Sequence, residues 1–225
     1  EARGLVRPRV DRHDSCLHVL RYQPGVVEGQ SVKLRFVEQR RQYVPRRISF
    51  PILKVNEADQ LNYRNRVRRP LLFPGAAYDV ASGVTGLRGR VERAGKPLNW
   101  ARVVATLPGN GTVVGRAHGD DRGEFLLLIA PSAGAGAVLV SPLHIRVDVF
   151  GPAAPPVPNP ATLSEVDALW DLPEEVAPIL DPLNPDADPV SAGETAPNGY
   201  TATIGRTVTL PLGRIRSETT AFTIP

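Results

Sequence analysis

The chain has 225 residues, of which 42% are hydrophobic and 22% are charged. This composition excludes a disordered tail and is sufficient for one large or two small domains. No stretch of about 18 consecutive apolar residues occurs, so no membrane-spanning helix is expected. The 23 prolines and 20 glycines favour short strands and turns over long helices.

The net charge of +4 hides a strong asymmetry along the chain. Residues 1–70 contain 16 Lys and Arg against 7 Asp and Glu, whereas residues 151–225 contain 3 against 10. A basic beginning and an acidic end can pair with each other, or each can meet complementary neighbours in an assembly. The sequence leaves both alternatives open.

The first 70 residues predict a small basic β unit. Hydrophobic and polar residues alternate there with the two-residue period of half-buried strands. Pro51 marks an edge strand or a bulge, and residues 56–65 allow one helical turn. The predicted strands are 15–21, 31–38 and 46–53.

A Pro- and Gly-interrupted linker, 71–83, leads into a series of short strands separated by turns. Gly95 and the Pro-Gly-Asn-Gly sequence at 108–111 are typical turn signals. The strand at 100–107 is expected to return beside the strand at 85–92. The remaining strands are predicted at 112–117, 124–130 and 143–150.

Residues 151–199 interrupt this pattern because they are rich in proline and acidic residues. Thr162 and Glu165 form a capping-box pattern for one short helix, predicted over 163–170. A strand over 200–210 follows, and we expect it to rejoin the earlier strands.

Four short motifs stand in a fixed order in the centre of the chain. They are Gly89-Arg90-Val91, Gly95-Lys96-Pro97, Ala101-Arg102-Val103 and the sequence DDRGEF at 120–125. This order resembles the carboxypeptidase regulatory-like domain, a transthyretin-like β-sandwich, over residues 84–150 and 200–210. The resemblance implies that Gly95 and Gly123 occupy turns and that Val91, Val103 and Phe125 fill the core. It implies a fold and an accessory or assembly role, because these are structural residues and not catalytic ones.

A second resemblance extends over the whole chain. Pro45-Arg46-Arg47 ends an Arg-rich β unit that precedes the sequences WARV at 100–103 and GDDRGEFLL at 119–127. This arrangement resembles proteins that accompany phage-tail-like contractile injection systems. It implies that the protein is a subunit of a larger particle.

The expected fold class is mainly β. A transthyretin-like sandwich follows a small basic β unit, and a Pro-rich acidic insertion carries one short helix. The expected organisation is a basic unit at 1–70, a linker at 71–83, a sandwich at 84–150 plus 200–216, and an insertion at 151–199.

Two clusters contain residue types that perform chemistry. His118, Asp120 and Asp121 could ligate an ion such as Ca²⁺, but a polar hairpin turn capped by an aspartate is the favoured interpretation. A hydrolase built around His118 and Asp120 is the enzymatic alternative. The sequence HDSC at 13–16 contains triad residue types, but a triad requires separate elements to converge. Cys16 is expected to be a small residue of a strand, and no enzyme activity, metal or cofactor is predicted.

The arginine-rich segments are the strongest candidates for binding. Arginine forms bidentate pairs with carboxylates and is enriched at protein interfaces, so protein contact is favoured over nucleic acid. The acidic segment 151–196 of a neighbouring subunit is a candidate partner. The predicted interface residues are Arg40, Arg41, Arg46, Arg47, Arg66, Arg68 and Arg69.

These observations predict a non-enzymatic structural or adaptor protein that docks onto other proteins. Charge reversal at Arg46 and Arg47 is expected to weaken assembly without unfolding the chain. A binding module for carbohydrate or a cell surface is the alternative, and it would need exposed aromatic platforms. The lone cysteine and the absence of a visible signal peptide favour the cytoplasm, or a particle assembled there.

Overall fold

A computed structural model describes residues 9–12, 18–21, 31–60, 70–130, 141–158, 167–176 and 199–225. Within these residues the chain is mainly β, as predicted, and the helix is α1 (Val55–Gln60). The strands are β1 (Arg9–Arg12), β2 (His18–Arg21), β3 (Ser31–Phe36), β4 (Arg46–Pro51), β5 (Gly86–Arg93), β6 (Lys96–Pro97), β7 (Arg102–Thr106), β8 (Val113–His118), β9 (Glu124–Leu128), β10 (Leu143–Gly151), β11 (Glu174–Val176), β12 (Ala202–Leu210), β13 (Ile215–Ser217) and β14 (Phe222–Ile224).

The N-terminal strands form two small sheets. β1 pairs antiparallel with β2, and β3 pairs antiparallel with β4. Ile48 and Phe50 of β4 are buried. β11 adds a parallel strand on the other side of β4. No strand was predicted in the segment that contains β11, so part of the acidic insertion folds back onto the basic unit.

A four-stranded sheet has the order β12-β10-β7-β8. Burial alternates along β10, where Leu143, Ile145, Val147 and Val149 are buried. β12 pairs with β10 from Leu143 to Gly151, which confirms that the strand after the insertion rejoins the earlier ones. The insertion therefore leaves and re-enters the sheet at directly opposed residues.

The second large sheet is built around β5. β9 pairs antiparallel with β5, while β13 and β14 pair parallel with it, so the last residues form strands that the sequence pattern did not predict. The predicted pairing of 85–92 with 100–107 is wrong. After a turn in which Ala94 and Gly95 have φ of 50° and 73°, β6 pairs with β5 over only two residues. The chain then crosses to the other sheet as β7.

The two large sheets share one hydrophobic core. Val91, Val103 and Phe125 lie in it, as the family resemblance implies. Gly123 has a φ of 72°, and a Cβ there would lie 2.5 Å from the Val91 carbonyl oxygen. A Cβ on Gly89 would lie 2.6 Å from the Phe125 ring. Gly89 therefore permits the close packing of the Phe125 ring, and Gly123 permits the close approach of the turn to the Val91 backbone.

The two predicted helices are only partly described. α1 (Val55–Gln60) begins one residue before the first predicted helical segment, 56–65, and residues 61–69 lie outside the described residues. Of the second helix, 163–166 lie outside as well, while 167–170 form a turn closed by a hydrogen bond from Trp170 N to Asp167 O.

Among the described residues, no helix has the length and apolar character needed to cross a bilayer.

Candidate functional site

Four charged or titratable side chains from separate segments meet between the basic unit and the four-stranded sheet. Arg102 and His118 are paired residues of β7 and β8 and carry their side chains on the same face. Arg46 begins β4, and Glu175 is the central residue of β11. Arg46 is 0% exposed, and Arg102, His118 and Glu175 are each 3% exposed. We call these four residues the buried charge cluster.

Glu175 joins the two arginines of the buried charge cluster. Its Oε2 accepts from Arg46 Nε at 3.0 Å and also from Arg46 Nη2, and its Oε1 accepts from Arg102 Nη2 at 2.7 Å. One carboxylate thus links β4, β7 and β11. Buried charges are tolerated only when they are paired and hydrogen-bonded, so this bridge holds three segments in a fixed arrangement.

His118 is the neutral member of the cluster. Its ring stacks on Phe73 of the linker with centroids 3.7 Å apart, and the Arg46 guanidinium lies 5.4 Å from the same Phe73 ring. Burial lowers the pKa of His118 well below 6.5, and the positive charges of Arg102 and Arg46 lower it further. Burial also lowers the pKa of Arg102, against the attraction of Glu175.

Trp100 anchors the rim of the cluster. Its carbonyl oxygen accepts from Arg102 Nη1 at 2.8 Å and from the Tyr200 hydroxyl at 3.0 Å. Its ring packs with Val44 of the basic unit and Leu172 of the insertion in a small apolar cluster. Burial raises the pKa of Tyr200 to about 12. Trp100 therefore joins the same three parts of the chain as Glu175 does, through apolar contacts.

Further contacts join the acidic segment 167–176 to β3 and β4. They are Lys33 Nζ to Glu174 at 2.7 Å, Arg35 Nη2 to Asp167 at 2.5 Å, and Arg47 Nη2 to the Leu169 carbonyl oxygen at 2.8 Å. The basic first part of the chain and its acidic later part therefore pair with each other at these residues. This is the first of the two alternatives that the sequence left open.

The predicted interface residues have different environments. Arg46 is completely buried, so its prediction as an exposed interface position is wrong: its guanidinium is directed to Glu175 and to the Leu71 carbonyl oxygen inside the protein. Arg47 is partly buried against the insertion. Arg40 and Arg41 are exposed. Arg66, Arg68 and Arg69 lie outside the described residues, as does the sequence at 13–16 with Cys16.

The exposed turn 38–42, which we call the basic turn, presents Arg40 and Arg41. The Glu38 carboxylate accepts from Arg40 N at 2.8 Å and from Gln42 N at 2.9 Å, which fixes the backbone. Arg41 has a φ of 56°, and its side chain is 71% exposed. Its Nη1 lies 3.4 Å from Asp121 Oδ2, in the turn between β8 and β9.

Asp120 organises the turn between β8 and β9. Its Oδ1 accepts from Arg122 N and Glu124 N, both at 2.9 Å, and its Oδ2 accepts from the Arg122 side chain. This geometry is that of the capped polar turn, which was the favoured interpretation of His118, Asp120 and Asp121. Among the described residues, no group of three or more His, Cys, Asp or Glu side chains is arranged to hold a metal ion.

Sequence reasoning missed Glu175 and Phe73 as members of a site. One available signal was Arg102, a charged residue at the start of the apolar strand sequence RVVAT, because such a residue needs a buried partner. Nothing local distinguishes Glu175 from Glu174 in the sequence PEEV, since the partner strand β4 is distant in sequence.

Comparisons with protein-family models, curated proteins and solved structures find no match to the chain.

Proposed function

We propose that the protein is a non-enzymatic structural or adaptor subunit that docks onto another protein through the basic turn. The observation that carries this proposal is the backbone of Arg41, which has a φ of 56° on an exposed turn. This conformation costs a residue with a Cβ about 1–2 kcal/mol, and such strained positions cluster at functional sites. Glycine would satisfy the same turn without that cost, so the Arg41 guanidinium is the feature that the turn presents.

The chemistry of the basic turn favours an acidic protein surface as the partner. Arg40 and Arg41 are adjacent and exposed, and guanidinium groups form bidentate hydrogen bonds with carboxylates. Because Glu38 already fixes the turn backbone, few additional rotatable bonds lose their conformational freedom when the turn docks. The 3.4 Å pair of Arg41 with Asp121 is long, and a carboxylate of a partner can replace it at little cost.

The proposal extends to the fold and the assembly. We take the two sheets that share a core to be a transthyretin-like β-sandwich of the carboxypeptidase regulatory-like kind, preceded by the basic β unit. The core positions of Val91, Val103 and Phe125 and the positive φ of Gly123 support it. A particle of the phage-tail-like contractile injection class is the assembly to test first.

The alternative function, a carbohydrate or cell-surface binding module, receives less support from the described residues. A sugar-binding platform needs an exposed aromatic face. Trp100 is 2% exposed, and its ring packs between Val44 and Leu172. Tyr43 and Tyr78 are partly buried and pack edge to face with centroids 5.4 Å apart.

The test is purification of the tagged chain from its native source at low and high salt, followed by mass spectrometry and negative-stain microscopy. We expect particle subunits to co-purify at low salt and to dissociate at high salt. The double variant Arg40→Glu/Arg41→Glu should lose them while it remains folded. Arg90→Glu is the matched control, since Arg90 is an exposed arginine on β5 that pairs with Glu92. A lone monomer at both salt concentrations, or equal loss in the control, contradicts the proposal.

A further inference from the structure

Two side-chain nitrogens of the buried charge cluster are not bonded to its carboxylate. Arg102 Nε and His118 Nδ1 are both buried and have no hydrogen-bond partner among the described residues. His118 Nδ1 lies 4.0 Å from Glu175 Oε1, which is too long for a direct hydrogen bond. Buried polar atoms without a hydrogen-bond partner are rare in native proteins, so these two nitrogens need an explanation.

The side chains of Arg102 and His118 approach the same carboxylate oxygen, Glu175 Oε1. The Arg102 guanidinium gives Nη2 to Glu175 Oε1 at 2.7 Å, and His118 Nδ1 lies 4.0 Å from that same oxygen atom. Arg102 and His118 are also paired residues of neighbouring strands, so their side chains project from adjacent points of one sheet. An acceptor beside Glu175 Oε1 can therefore receive a hydrogen bond from each of them.

The charges around this region favour an acceptor that is negative. The Glu175 carboxylate is shared by two guanidinium groups, those of Arg46 and Arg102. Burial disfavours the charge of Arg102 more strongly than Glu175 favours it, and the pKa of Arg102 is lowered as a result. His118 adds no charge, because its pKa is also lowered, and its tautomer with the proton on Nδ1 adds a donor. An additional negative charge would offset the remaining desolvation of Arg102.

We propose that Arg102 Nε–H and His118 Nδ1–H hold a small inorganic anion of halide size, of which chloride is the common example. The site lies between β7, β8 and β11, next to the carboxylate that joins the three segments of the cluster. Its occupant has a structural role, because it completes the hydrogen bonding and charge balance of the junction. This proposal is independent of the docking function of the basic turn.

The first test is the thermal unfolding of the wild-type chain at constant ionic strength, with gluconate replaced stepwise by chloride. We expect the melting temperature to rise with chloride and to saturate, since a ligand that binds only the folded state stabilises it. A melting temperature independent of chloride overturns the proposal, and so does a rise that does not saturate.

The second test uses a variant and a heavier halide. His118→Phe keeps the ring stacked on Phe73 but removes the donor, so its melting temperature should no longer depend on chloride. The control Arg90→Gln should retain the wild-type dependence. Crystals of the wild-type chain soaked in bromide should show an anomalous peak in contact with Arg102 Nε and His118 Nδ1. Peaks at surface arginines alone would identify an adventitious ion only, and a water molecule between the two nitrogens would equally refute the site.

Discussion

Replacing Glu175 by glutamine tests whether the buried charge cluster holds the basic unit, the insertion and the four-stranded sheet together. The Glu175→Gln variant keeps the size of the side chain and one acceptor oxygen. It removes the negative charge that Arg46 and Arg102 share at 3.0 and 2.7 Å. Both guanidinium groups then remain buried without the carboxylate that offsets their desolvation.

The expected loss follows from this geometry. Removing one partner of a buried ion pair destabilises a protein by about 3–5 kcal/mol, because an uncompensated buried charge is left behind. For a chain of this size, that corresponds to a fall in melting temperature of about 6–20 °C. The whole folding free energy of a domain is about 5–15 kcal/mol, so the variant should remain folded at low temperature or be only marginally stable.

Equilibrium urea unfolding provides the measurement, with fluorescence of Trp100 and Trp170 as the signal. The matched control is Glu92→Gln, which removes the carboxylate of the more exposed pair with Arg90 and should change stability by at most about 1 kcal/mol. A loss in Glu175→Gln no larger than in the control would refute the reasoning. If Glu175→Gln does not fold, Asp167→Asn tests the same segment more mildly through its pair with Arg35.

Four further predictions rest on other contacts. Gly123→Ala should destabilise the chain by about 1–3 kcal/mol in thermal melts, because Gly123 has a φ of 72° and its added Cβ would lie 2.5 Å from a backbone oxygen. Gly109→Ala is the control and should lose less stability, because Gly109 has a positive φ but open space around its Cβ. Because the pKa of His118 is low in the folded chain, only the unfolded chain takes up a proton at this residue below about pH 6.5. Keeping His118 neutral therefore costs no stability above that pH, and the folded chain loses stability as the pH falls below it. The urea midpoint should fall more between pH 7.5 and 5.5 for the wild type than for His118→Phe. Arg41→Gly should leave stability unchanged or raise it by about 1 kcal/mol in urea titrations while it reduces partner capture, and a fall in stability would show that the positive φ is not a source of strain. Arg46→Glu should abolish the cooperative thermal transition, because it places a second carboxylate beside Glu175 inside the protein; a well-folded Arg46→Glu chain would contradict the burial.

The strands that the sequence predicted correctly are those whose pattern is local. β10 alternates over its whole length, β9 is a short run of apolar residues, and the turns 108–111 and 119–123 that bound β8 are rich in Gly, Asp and Pro. The burial of β10 follows directly from the period of two that a strand imposes on its side chains. The core positions of Val91 and Phe125 were instead implied by the family resemblance, and both residues are found in the core.

Three of the elements that sequence reasoning missed are short and parallel. β11, β13 and β14 have three residues each, which is too few to display a period, and each pairs with a strand distant in the sequence. The pairing of 85–92 with 100–107 was predicted wrongly because a tight turn at Gly95 usually indicates a hairpin. Here the hairpin ends after two residue pairs, since the return strand belongs to the opposite sheet.

The position of Glu175 shows that the arginines of the basic unit do not all have the same role. Sequence alone treats the arginines of residues 1–70 as one surface, whereas the fold divides them according to the partner that each one meets. Arg46 is buried with Glu175, and Arg35 meets Asp167 at 2.5 Å, both within the chain. Arg40 and Arg41 are instead carried on an exposed turn that Glu38 holds rigid. The buried contacts fix how the basic unit sits on the core, and so they also fix the direction in which the basic turn faces the proposed partner. A substitution in the cluster should therefore weaken docking only as far as it weakens folding, while one in the turn should weaken docking alone.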